Sequence, residues 1–414
     1  MNTQQANRLF IASCIALTVT AMTFAIRAGI LGQLSASFDL SDRQLGWITA
    51  MALWGFPVAT VFGGLLYNWI GARKLVLIAF VGHLVGLVLT MMADGFWTLL
   101  ISSFCVGFAN GAVEAGCNPL IADIYHKNKT TMLNRFHVWF PGGIVIGALV
   151  SKFMTDMGLG WELQIAVMLI PTVIYGFMMF TQKFPEAVHI ESSTVSNIKA
   201  LFAPLFIFMC LCMVFTATTE LGTQQWIDRI LGASGASPML ILALGAGLMA
   251  VGRYFAGPLV HTLNPVGILL MSAVVSAVGI YAMSIATGGM VYIAAILFAL
   301  GVTYFWPTMI GFIAEYQPKT GALGMSIIGG VGMTGVGIWS PIIGSWIDSA
   351  RAAAEAQNLT GVEAELVAGQ VTLSNLTIFP IVLIVAFAAL YICMKKQQNN
   401  NQPQTTANPA GEVL

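Results

Sequence analysis

Long apolar stretches alternate with short polar breaks along the whole chain. An α-helix rises 1.5 Å per residue, so about 20 apolar residues cross the hydrocarbon core of a bilayer. Twelve stretches come near or exceed that length, at 9–34, 45–67, 74–93, 95–124, 136–157, 161–181, 200–231, 238–261, 265–286, 289–314, 321–347 and 373–394. The polar segment QKFPEAVHIESSTVSNIK, 182–199, parts them into six and six. The predicted organisation is an N-terminal six-helix half (1–181), a cytoplasmic linker (182–199), a C-terminal six-helix half (200–396) and a tail (397–414). That tail has almost no apolar content and is expected to be disordered. The predicted class is an all-α membrane protein of twelve transmembrane helices in two pseudo-repeat halves.

Composition sharpens this picture. Apolar residues make up 57% and charged residues 8%, against roughly 25% charged in an ordinary soluble domain. Mean hydropathy is +0.84. Charge this sparse cannot solvate a soluble surface, so most of the chain is expected to face lipid or other apolar helices. The 17 Lys and Arg balance 17 Asp and Glu, which excludes a nucleic-acid binder, because displacing counterions needs a cationic face. All six cysteines fall in apolar stretches without metal-ligand spacing and read as buried thiols. The first apolar stretch is too long for the core of a cleavable leader. The five histidines are scattered, and HExxH, Walker and GxSxG motifs are absent. No metal, cofactor or enzymatic activity is expected.

Basic residues set the expected orientation. With the N-terminus inside, the cytoplasmic segments hold Arg8, Arg73, Lys74, Lys127, Lys129, Arg135, Lys183, Lys199, Lys319, Lys395 and Lys396, and the other side only Arg43, Arg229 and Arg351. Both termini are then cytoplasmic, in a plasma or inner membrane. The acidic segment 348–372 is external, and its AEAQ and VEAEL stretches suggest a short surface helix.

Twelve helices in two halves suggest a transporter with its site near the midplane. Charges at membrane depth cost at least ~2.5–3.5 kcal/mol each on insertion scales, so they are functional candidates. Asn110, Glu114 and Asn118 recur every fourth residue of helix 4 and share a face. Thr216, Glu220 and Gln224 do the same in helix 7, with Gln225 and Trp226 alongside. Amides and hydroxyls both donate and accept, which suits a polyol, and Trp226 can cover the apolar side of a ring. Trp226 reads equally well as an interfacial residue. Arg27 in helix 1 and Arg253 in helix 8 are candidates either to balance Glu114 or Glu220 or to hold a substrate carboxylate, a structural role at the cytoplasmic gate being favoured for Arg253. Glu114 and Glu220 are the expected proton carriers. Arg73, Asp123 and Arg253 are expected gating residues, with Asp123 pairing to a basic neighbour. Lys152 is expected to snorkel, and Trp306, before Pro307 in helix 10, to line the cavity.

The loop GGLLYNWIGARK, 63–74, resembles the signature loop of the major facilitator superfamily. Gly64, Gly71, Arg73 and Lys74 match, and Asn68 stands where the acid usually is. Within that superfamily, four stretches are similar to the sugar–cation symporter branch of fucose and glucose/galactose permeases. These are GAVEAGCNPLIADIY (111–125), NRFHVWFPGG (134–143), TELGTQQWI (219–227) and GRYFAGPL (252–259). The chain departs from the fucose permeases in helix 1, where Arg27-Ala28-Gly29 replaces an acid. The resemblance implies the major facilitator fold and uptake of a monosaccharide or related polyol with a cation, H+ or Na+, by a monomer in the bilayer. An organic anion such as a sugar acid, read by Arg27, is the alternative, followed by multidrug efflux.

Overall fold

The computed structural model describes residues 3–125, 132, 135–185 and 198–401. The expected linker, apart from its two ends, and the tail beyond Asn401 lie outside the described residues. Among the described residues, eleven helices are long and apolar enough to span a membrane. They are α1 (Thr3–Phe38), α2 (Asp42–Tyr67), α3 (Trp69–Met91), α4 (Phe96–Ile121), α5 (Arg135–Asp156), α6 (Trp161–Phe180), α7 (Pro204–Gln225), α9 (Leu263–Ile285), α10 (Met290–Ile313), α11 (Leu323–Glu355) and α12 (Val362–Lys396). The twelfth, α8 (Pro238–Tyr254), is apolar but shorter. Sequence patterning ran helix 8 on to 261; the backbone instead leaves helical geometry at Phe255. The expected separate surface helix is not formed either. AEAQ begins inside the end of α11, and VEAEL opens the first turns of α12.

Local chemistry explains several boundaries. Ser41 caps α2, its hydroxyl accepting from the Gln44 N–H while the Gln44 side chain accepts from the Ser41 N–H, a reciprocal capping box. The backbone kinks at Gly71, in the first turn of α3, where a φ of 73° suits a residue without a Cβ. In α7 the ladder widens to a π-turn over Thr218–Gly222, a feature often found at functional positions. The span of α7 closes at Gln225, and Ile227–Leu231 forms a separate short helix beyond it.

Helices α1–α6 pack on one another, with α2, α3 and α4 in closest association, and α7–α12 form a second group around α9, α10, α11 and α12. Small residues allow the tight α2–α4 seam. A Cβ on Gly107 would collide with the Ala52 backbone and one on Gly111 with Phe56, which is how glycine substitutes for the hydrophobic drive that lipid does not supply. The two groups meet along α2–α11 and α5–α8. An apolar cluster of Phe24, Leu53, Phe56, Ala217, Leu221, Met333 and Val336 draws on both, with Phe140 and Trp306 against it.

Candidate functional site

Hydrogen bonds between the two helix groups are confined, among the described residues, to the half of the interface nearer Asp42. Asp42, at the start of α2, accepts from Arg229 at 2.6 and 2.8 Å and from Arg351 at 2.6 Å. Asp348 accepts from the backbone N–H groups of Asp42 and Arg43, and Arg351 also reaches Glu365. Further in, Trp54 Nε1 donates to the Thr334 carbonyl and Gln225 Nε2 to the Phe24 carbonyl. This end of the molecule is closed. At the other end Arg73 is exposed, and Asp123 accepts from Tyr67 at 3.0 Å, a partner within its own group and not the basic residue anticipated. Lys152 pairs with Asp156 on its own helix.

The midplane candidates separate into three sets. In the first, Arg27 is 8% exposed and donates through Nη2 to the Thr23 carbonyl at 3.3 Å. Its Nη1 is buried without a partner, and its guanidinium lies 5.7 Å from the Phe24 ring centre. No described carboxylate pairs with it, so the expected balancing of Glu114 or Glu220 by Arg27 does not occur. Gln225 flanks the same Phe24 through its backbone contact, and its Oε1 is also buried and unpartnered.

The second set lies in α7 and α8. Glu220 sits in the middle of the π-turn, 4% exposed. Its Oε1 accepts from Arg253 Nη2 at 3.2 Å, while its Oε2 has no partner. Arg253 is anchored by a second bond, Nε to the Thr303 carbonyl at 2.9 Å. Of the roles expected for Arg253, the pairing with Glu220 is the one formed here. Gln224 points at Met249 Sδ, 3.6 Å away. Trp226 is fully buried in the core and donates to Ser340 Oγ at 3.3 Å, so it is neither an interfacial residue nor part of an open cavity wall. Trp306 is half-buried against the shared apolar cluster.

The third set is Glu114, Asn118 and His137. Glu114 Oε2 accepts from Asn118 Nδ2 at 2.6 Å, and Asn118 Oδ1 faces His137 Nε2 at 3.1 Å. His137 is exposed and the two others are half-buried. Asn110 does not join them. It is 1% exposed and both ends of its amide are engaged, by His83 at 2.8 Å and by Thr23 at 2.9 Å. It is therefore not in a position to touch substrate directly. Sequence reasoning missed His83 and His137, treating the histidines as scattered, although His137 lies inside a segment already singled out. It also missed Asp42, which reads as an ordinary residue in a short loop. Among the described residues no cluster of metal-ligating side chains is present.

Eleven helices of membrane-spanning length among the described residues make this a polytopic membrane protein. The Major Facilitator Superfamily model matches residues 13–338, and the chain belongs to that family. The 3-(3-hydroxy-phenyl)propionate transporter of Escherichia coli (strain K12) is 26% identical over 261 residues, 59% of this chain and 62% of that one. The cis,cis-muconate transport protein of Acinetobacter baylyi is 25% identical over 54% of this chain and 57% of that one. The D-xylose transporter of Levilactobacillus brevis is 24% identical over 36% of this chain and 32% of that one. Each alignment thus spans less than two thirds of the relative. Two solved structures share the fold. A point mutant of the nucleoside transporter NupG has a TM-score of 0.77 at 12% identity, covering 94% of this chain and 100% of that one. A D-xylose-proton symporter has a TM-score of 0.72 at 14% identity, covering 89% and 96%.

Proposed function

We propose that this chain is a secondary transporter of a small hydroxylated organic acid, held between the helix groups with its carboxylate on Arg27. The observation that carries this reading is the unpaired Nη1 of a buried guanidinium that has no carboxylate partner among the described residues. Leaving a charge buried and unpaired costs several kcal/mol, and a substrate carboxylate removes that cost with charge-assisted hydrogen bonds. Two further buried acceptors on α7 are open, Gln225 Oε1, on a side chain bonded to the Phe24 carbonyl, and Glu220 Oε2, and both suit substrate hydroxyls. Two relatives named for carboxylic acids support the reading from outside. A neutral monosaccharide is the second reading, favoured by those same open acceptors, by the fucose-permease-like motifs and by the xylose relative. The coupling ion is H+, carried by Glu114 or Glu220. The basic-residue asymmetry supports an external Asp42 end; on that orientation the Asp42 contacts close the outer side of a monomer in the cell membrane.

Calorimetry on the purified protein tests this with galacturonate, 3-(3-hydroxyphenyl)propionate and galactose. At least one acid binds, and Arg27→Gln weakens it by about 2–5 kcal/mol, the cost of removing one side of a buried charged pair. If galactose alone binds, and Arg27→Gln retains it, the neutral-sugar reading replaces this one.

A further inference from the structure

A closed chain of hydrogen bonds runs through the interior of α1–α6. Tyr175 Oη on α6 lies 3.0 Å from His83 Nδ1 on α3. His83 Nε2 lies 2.8 Å from Asn110 Oδ1 on α4. Asn110 Nδ2 donates to Thr23 Oγ1 on α1 at 2.9 Å. Tyr175 and His83 are 0% exposed, Asn110 1% and Thr23 2%. Four helices are joined by three side-chain bonds out of reach of water.

The chain has one consistent proton arrangement. Thr23 has a single hydroxyl proton and donates it to the Thr20 carbonyl at 2.7 Å, so towards Asn110 it can only accept. That fixes the Asn110 amide with its nitrogen to Thr23 and its oxygen to His83. His83 must then carry its proton on Nε2, and its Nδ1 lone pair accepts the Tyr175 hydroxyl. A neutral imidazole satisfies every member. A second proton would leave the Tyr175 hydroxyl proton without an acceptor. Buried networks of this kind rigidify when complete and are costly when one member is missing.

The inner end of the chain is the residue that positions Arg27. Thr23 accepts from Arg27 Nη2 through its carbonyl, which is what leaves Nη1 as the free donor. We propose that His83 is a positioning residue for substrate binding: through Asn110 and Thr23 it fixes the α1 backbone that aims the Arg27 guanidinium. This rests on the proposal that Arg27 holds the substrate carboxylate, and it adds a determinant that makes no contact with substrate.

A double-mutant cycle tests it, because coupling to Arg27 separates positioning from general damage. The full chain in detergent is titrated with galacturonate and with 3-(3-hydroxyphenyl)propionate. His83→Leu fills the space but breaks both bonds, and weakens the acid that binds by tenfold or more. His83→Gln can still donate to Asn110 and accept from Tyr175, and stays within about threefold of wild type. In an Arg27→Gln background His83→Leu has no further effect. If His83→Leu fails to fold, Tyr175→Phe, which removes only the outermost bond, takes its place in the cycle with an expected loss of about threefold. Equal losses in both backgrounds, or no loss with wild-type Arg27, overturn the positioning role while leaving Arg27 as the ligand. If Arg27→Gln alone changes nothing, or neither acid binds wild type, the substrate reading itself fails and this proposal falls with it.

Discussion

Arg229 grips both carboxylate oxygens of Asp42, at 2.6 and 2.8 Å. The two residues are 187 positions apart and belong to different helix groups, and Arg351 holds the same carboxylate from a third helix. The Asp42 side chain is fully buried between them. A carboxylate shared by two guanidiniums is a clamp that must break whenever this end opens. Asp42→Asn removes the charge and is expected to shift the population towards opening. Breaking one side of a buried pair costs about 3–5 kcal/mol, and a few kcal/mol is enough to invert a two-state population. Spin labels on the exposed positions Arg43 and Ala352 should report a new, longer distance in the variant. An unchanged distance distribution would show that the apolar contacts alone keep this end shut.

Much of this fold is legible in the sequence, because hydropathy and helix length are set locally. The polar loops hide what matters at the Asp42 end. Asp42 and Arg229 become partners through packing of two helix groups, and neither spacing nor composition carries that information. The helix 4 stripe fails for a geometric reason. Residues four apart on a helix of 3.6 residues per turn are offset by about 40°, so a stripe of three turns steadily round the axis. Asn110 accordingly faces α1 and α3, whereas Asn118 faces His137 on α5. Reading the stripe as one face merged a buried structural amide with a half-buried carboxylate–amide pair. Arg27 was legible as a buried charge, but whether a carboxylate answers it depends on the neighbours α7 brings.

Asp228, beyond the end of α7, gives a pH dependence of stability. Burial pushes its carboxyl up to about 6 from an ordinary 3.8, against the opposing pull of Arg229 and a backbone hydrogen bond from Gly32. A carboxyl whose folded value is raised binds its proton more tightly when folded. The stability it contributes is therefore complete below its ordinary value and is lost as pH rises towards and through about 6. Asp228→Asn should stabilise the protein at pH 7.5 by about 1–3 kcal/mol and have little effect near pH 4. Melting curves of both proteins at the two pH values, in one detergent, check this. Equal differences at both would rule out the ionisation as the cause.

The proposed orientation is open to a labelling test. Gln357 and Lys74 are both exposed and lie at opposite ends of the helix bundle. In a cysteine-free background, Gln357→Cys should react with an impermeant maleimide in intact cells. Lys74→Cys should react only after permeabilisation. The reverse pattern would invert the molecule in the membrane and make the closed Asp42 end cytoplasmic.

Glu114 provides the test of coupling. Its Oε2 accepts from Asn118, and the Asn118 amide oxygen is turned to the exposed His137. The carboxylate is thus half-buried and oriented by an amide that in turn meets an exposed imidazole. Glutamine at this position can still accept from Asn118 but cannot bind and release a proton. Net accumulation driven by a proton gradient requires the carrier to return without its proton, whereas exchange of one substrate for another does not. Glu114→Gln in proteoliposomes should therefore lose accumulation under a pH gradient by tenfold or more and keep exchange within about threefold, an uncoupling that a merely structural carboxylate would not produce. Glu220, held by Arg253, is the internal comparison. Glu220→Gln leaves Arg253 without its carboxylate and, on this reading, weakens exchange as well as accumulation. If Glu114→Gln still accumulates substrate in response to the gradient while Glu220→Gln exchanges but does not accumulate, the proton is carried by the α7 carboxylate and the role proposed for Glu114 is lost.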